Sequence, residues 1–143
     1  MTFFAPTRKQ STRPGGCVYL NTGSEFARDL SGWWPLGAYP DARDLSLFGN
    51  HGLPNNSPPP GGSGDRFGWN LNGTDHYATV NDSDSLDLGS NFTIAAWINR
   101  SSSIGSYPFI VSKFTGGSDR YELFLDNTSY EIAVAINSAS YNT

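Results

Sequence analysis

Three groups of residues could carry chemistry. The first is in "DARDLSLFGN", residues 41–50, which sets Asp44, Ser46 and Asn50 close together. Hard oxygen donors of this kind suit Ca²⁺, which takes six to eight of them, backbone carbonyls included. Asp and Asn also fill turns by bonding their own backbone, so a plain turn is the competing reading. Asp44 is the best single ligand candidate, and a structural Ca²⁺ is the one cofactor expected. "TDHYATVNDSDSLD" adds Asp75, Asp82, Asp84 and Asp87 as a second acidic set. The second group is aromatic: Trp34, Tyr39, Phe48, Tyr77 and Tyr107. Aromatic faces stack on the C–H faces of pyranose rings while nearby Asn and Asp orient hydroxyls, so these five are the candidate carbohydrate-binding residues. The third group is carboxylate. Glu122 and Asp126 share a strand parity, but Phe124 lies between them, and an outward polar row explains them better than a catalytic pair. His51 and His76 sit beside Asn or Asp in probable loops and build no Ser-His-Asp arrangement. No catalytic residue is expected.

The elements that would position these groups are strands. "RYELFLD" (120–126) sets Tyr121, Leu123 and Leu125 opposite Glu122, Phe124 and Asp126, and "YEIAVAIN" (130–137) alternates in the same way. "NFTIAAWIN" (91–99) is apolar on both faces, which predicts a central strand covered on both sides, with Trp97 in the core. Trp69 is read as core as well. Shorter candidates are "GWWPL", "FGWNLNG", "HYATV" and "FIVSKF". In a regular strand adjacent residues face opposite ways, so only one of Trp33 and Trp34 can enter a core. The other would face solvent, a ligand or a partner, with packing against a partner or the N-terminal arm favoured over sugar stacking. "LPNNSPPPGGSGDR" (53–66) reads as a surface loop. Helical periodicity is absent except for a single turn in "SEFARDL", capped by Ser24. The fold class is all-β, with short antiparallel strands in a sandwich or jelly roll.

Composition narrows the function. At 143 residues the chain suits one domain, with residues 1–28 as an N-terminal arm and lead-in turn and 29–143 as the sandwich. Nine basic residues against thirteen acidic ones give a net charge of −4, and no concentrated basic surface for nucleic acid. No run approaches the ~20 apolar residues of a membrane helix. The opening "MTFFAPTRKQSTRPGG" has no apolar h-region, so export through its own N-terminus is not expected. One cysteine, Cys17, excludes an internal disulfide.

Four segments in order resemble the laminin-G-like jelly rolls of the concanavalin A-like lectin/glucanase superfamily. They are "DLSGWWPLG", "ARDLSLFGNHG", "GWNLNGTDHYATVNDSDSLDLGSNFTIAAWINR" and "IVSKFTGGSDRYELFLD", spanning roughly 29–126. The resemblance implies a concanavalin A-like sandwich of antiparallel sheets, and it raises the expectation of a structural calcium. The family's later "Trp-x-His" strand and "Asp-Gly" hairpin do not follow "AINSASYNT". The sandwich is therefore either cut short or shortened, with an open edge covered by another chain. "GSEFARDLSGWWPL" looks like the start of bacteriophage and environmental members. The resemblance thus implies a non-catalytic surface module: a virion structural or decoration protein at the virion surface, with other virion proteins, copies of itself or a cell-surface glycan as partners. The alternative is a carbohydrate-binding module of a larger secreted or cell-surface protein, located extracellularly, and the remote one is a fragment of a glucan hydrolase.

Overall fold

A computed structural model describes residues 20–37, 40–62, 68–100, 108–114, 121–126, 131–136 and, as backbone only, 139–142. Two compact units are present. The first takes in the chain to Asn72 together with His76–Asn81; the second takes in Gly73–Asp75 and everything from Asp82 onward.

The first unit begins with one helical turn, α1 (Glu25–Arg28), which buries Ala27. Ser24 holds the N-cap position with extended backbone, but its side chain makes no cap bond. The predicted first strand, "GWWPL", is not one: Ser31–Pro35 belong to no strand and are held by side chains instead. Two small antiparallel ladders follow. β1 (Gly52–Asn55) pairs with β4 (Tyr77–Val80), Gly52 opposite Val80 and Asn55 opposite Tyr77. β2 (Pro60–Gly61) pairs with β3 (Gly68–Trp69). The segment expected to be all loop thus contains both β1 and β2. Pro54 hides β1 in the sequence, yet a two-stranded ladder with an open side tolerates a residue that cannot donate. Asn56 and Ser57, both at positive φ, then turn the chain out of β1. Trp69 is half-buried rather than a core residue.

In the second unit a 3₁₀ turn (Asp84–Leu86) precedes a four-stranded antiparallel meander: β5 (Phe109–Lys113), β6 (Tyr121–Leu125), β7 (Ile132–Ile136) and β8 (Ala139–Asn142), in that spatial order. Period-2 alternation makes these strands, and the pairings Glu122–Ala135 and Leu123–Val134 fix which side chains share a face. One face carries Glu122, Phe124, Ala133 and Ala135, with the two alanines 1% and 0% exposed. The other carries Tyr121, Leu123, Leu125, Val134 and Ile136. A bulge at Ile110 shifts the β5 register and leaves Phe109 beside Phe124, ring centres 5.6 Å apart.

Residues 92–100 are the main departure. They join no ladder among the described residues, and Trp97 is 103% exposed. Strand formation needs neighbours that take up the backbone N–H and C=O groups, and apolar pattern alone does not supply them. Consistent with this, no large side chain among the described residues is fully buried. The buried apolar set is Ala27, Ala42, Leu86, Leu125, Ala133 and Ala135.

In the first unit Gly52 is one of the places where chain segments pass close together. It bridges to Ala42, and a Cβ on it would lie 2.8 Å from the Ala42 Cβ and 3.4 Å from that of Ala78. Gly52→Ala is expected to lower the stability of this unit by about 1–3 kcal/mol through overpacking, read from urea titration followed by tryptophan fluorescence. An unchanged midpoint would show that β1 is free to shift.

Candidate functional site

The residues singled out as metal ligands do come together, around one carboxylate. Asp44 is 3% exposed. Its Oδ1 accepts from the backbone N–H of Trp33 (2.8 Å) and of Ser46 (2.8 Å). Its Oδ2 accepts from the Ser46 hydroxyl (2.6 Å) and the Asn50 N–H (2.8 Å). Burying a carboxylate is costly unless donors replace its water, and here four donors meet roughly four lone-pair sites. Around this centre, Asn50 Nδ2 donates to the Ser31 carbonyl (2.8 Å), and the Trp34 indole Nε1 donates to the Asn50 carbonyl (2.8 Å). His51 Nδ1 accepts from the Asp44 N–H (3.1 Å), which puts the proton of the neutral ring on Nε2. Leu45 N–H donates to the Trp33 carbonyl (2.9 Å) and locks the two strips together.

The network makes a tight polar knot, and a calcium ion at Asp44 would have to displace donors already in place. Among the described residues no group of three or more His, Cys, Asp or Glu side chains is placed to hold a metal ion. The second acidic set meets a cation of the protein's own. Lys113 Nζ sits against Asp87 and lies 3.0 Å from Asp82. Its hydrogen bond to Asp87 raises the lysine pKa; partial burial opposes this, and Asp82 adds to the rise. The neighbouring Tyr121 hydroxyl has a raised pKa, chiefly from burial, with Lys113 pulling the other way.

The aromatic candidates separate. Phe48 and Tyr77 are exposed, 51% and 52%. They lie towards opposite ends of β1, because Tyr77 pairs with Asn55 while Phe48 precedes Gly52 on the Asp44 loop. Trp34 is half-buried, with its indole N–H engaged and its ring lying over Gly32: a Cβ there would fall 2.0 Å from Cη2. Trp33 is half-buried as well, so the one-in, one-out expectation for the pair fails because the segment is not a strand. Tyr39 and Tyr107 lie outside the described residues.

Trp97 and Glu122 also depart from the expectation. Trp97 is on the surface, as described above. Glu122, expected in an outward polar row, is 5% exposed and accepts from the Ser112 hydroxyl (3.0 Å). The sequence signal that could have found it is the two alanines of β7, which leave room for close cover on that face. Across the sheet Glu122 faces Ser112 and Ala135, neither of them an acid. Asp126 is four residues further along the strand direction, about 13 Å away at 3.3 Å per residue. Glycosidase pairs need roughly 5–9.5 Å.

The meander and the segment leading into it, residues 72–143, match the family model of the concanavalin A-like lectin/glucanase superfamily. The chain belongs to this superfamily. Its fold class is accordingly all-β and concanavalin A-like. The matched residues begin at Asn72, so the Asp44 knot lies before them. No curated protein and no solved structure is matched by the chain.

Two outcomes test the knot. Asp44→Asn turns an acceptor into a donor facing N–H groups and is expected to cost about 3 kcal/mol or more of first-unit stability by chemical denaturation. Because the donors fill the carboxylate, the melting temperature should be equal in calcium chloride and in EDTA. A clear rise with calcium would assign the loop to the ion.

Proposed function

We propose that the chain is a non-catalytic interaction module that binds glycan through the tip of the Asp44 loop, and that it serves on a bacteriophage virion surface. The observation that carries the glycan reading is Phe48: exposed beside Leu47, on a loop whose two ends are fastened to one buried carboxylate. A loop already ordered loses little conformational freedom on binding, so a single aromatic face can be used efficiently. Stacking on the C–H face of a sugar ring suits such a face, and superfamily membership is consistent with a sugar ligand. The absence of a second acid beside Glu122 on its strand neighbours supports the non-catalytic part. The virion setting, with self-assembly or docking onto other virion proteins, is supported by the resemblance of "GSEFARDLSGWWPL" to phage members of the superfamily.

A glycan array probed with the intact chain and with Phe48→Ala tests the binding reading. The intact chain should retain one class of glycan, and the variant should lose at least about tenfold in affinity, or ~1.4 kcal/mol, with an unchanged melting curve. Retention of the same glycans by the variant would remove Phe48 from the site, and no retention by either protein would remove the glycan.

A further inference from the structure

Between β3 and β4 the chain runs through Asn72, Gly73, Thr74, Asp75 and His76, and residues 71–76 belong to no helix or strand. Asn72 and Gly73 are both exposed. Gly73 sits at φ +70°, the left-handed region that glycine enters without penalty. A Cβ placed on it would meet nothing within 4 Å, so the space around this peptide is open. Among the described residues no group accepts the Gly73 N–H. The Asn72 side chain is held instead: its Oδ1 accepts from the backbone N–H of His76 (3.1 Å).

We propose that Asn72-Gly73 is a site of self-modification, where the asparagine loses ammonia through a cyclic imide and becomes chiefly isoaspartate. The step needs only hydroxide and water. Hydroxide removes the Gly73 amide proton, and the nitrogen attacks Asn72 Cγ to close a five-membered ring. The N–Cγ bond forms while the Cγ=Oδ1 electron pair moves onto Oδ1. When that pair returns, the Cγ–Nδ2 bond breaks and Nδ2 leaves as ammonia with a proton taken from water. Water then opens the ring. Cleavage of the new N–Cγ bond gives aspartate, and cleavage of the original peptide bond gives isoaspartate. Nothing is oxidised or reduced.

Three features of the chain place the reaction here. Every other asparagine is followed by a residue with a Cβ, which crowds the attacking nitrogen, whereas Gly73 has none. The His76 N–H lies on the oxygen where negative charge develops, the placement by which backbone donors stabilise such intermediates. The Gly73 nitrogen has no intramolecular bond to give up among the described residues, and no ladder resists the closing of the ring. The product matters to the fold, because isoaspartate carries the chain through its side-chain carboxyl. The backbone thereby gains a methylene ahead of β4, and the chain of net charge −4 gains one negative charge.

Incubation of the intact chain in mildly alkaline buffer, followed by peptide mapping in the mass spectrometer, tests this. The peptide spanning residues 67–100 should first lose the mass of ammonia and then gain that of water. Fragmentation should place isoaspartate at 72, ahead of conversion at any other asparagine, with a rate that rises in proportion to hydroxide. In ¹⁸O-water the product should carry one labelled oxygen. Asn72→Gln, which would need a six-membered ring and keeps an oxygen for the His76 N–H, should remove conversion at 72. Gly73→Ala should slow it at least about tenfold. Native chain should convert no more slowly than chain held in denaturing urea, where the His76 donor is lost. An unmodified Asn72, faster conversion at another asparagine, aspartate without isoaspartate, or conversion confined to the denatured chain each overturns the proposal.

Discussion

The Asp44 carboxylate is the constraint on which the first unit depends. Removing an anion from water is unfavourable by several kcal/mol unless every lone pair finds a donor. The four donors come from Trp33, from Ser46 twice and from Asn50, so the cost is offset only when all three places are correct together. The tryptophan strip, the loop and the return towards β1 are thereby fixed by one side chain where regular strands are absent. That is why residues 31–37 and 40–50 can be ordered with almost no secondary structure.

The second unit meets the opposite problem. Its strands are regular, but Leu123, Val134 and Ile136 lie on the face that opens into the groove, while the other face carries Ala133 and Ala135 beside Phe124. Small residues allow close approach and bury little area, roughly 25 cal/mol per Å² of apolar surface. The branched residues, which have most to gain from cover, are the ones left half-open. Lys113 is held by Asp82 and Asp87, tying the segment before the meander to β5 at the level of Tyr121. Both carboxylate partners are themselves well exposed, so the tie orders the segment more than it stabilises it.

What could be read from the sequence divides along the range of the interactions concerned. The meander was legible because β6 and β7 state their faces residue by residue, and period 2 needs no distant information. β1 was not, because Pro54 and the following turn residues look like loop until β4 supplies the pairing. The segment at 92–100 erred in the other direction: its apolar pattern describes a strand that awaits neighbours, and pattern cannot say whether they are there. Asp44 stands out in the sequence by residue type and by its neighbours Ser46 and Asn50. Its donors, however, include a backbone N–H eleven residues earlier, which local spacing does not reveal. Likewise the acids at 82 and 87 were visible, while the lysine 26 residues beyond Asp87 that meets them was not.

The adjacent tryptophans carry the same lesson in small compass. Treated as strand residues, Trp33 and Trp34 must diverge, and one of them becomes a ready sugar platform. The chain there is bound through its backbone instead: Trp33 gives its N–H to Asp44 and its carbonyl to Leu45. Trp34 folds over Gly32, where no side chain could fit, and spends its indole N–H on the Asn50 carbonyl. Both rings are therefore structural parts of the knot, and neither needs a ligand to account for its position. Presentation to the outside passes to Phe48, the residue that the knot holds in place without covering.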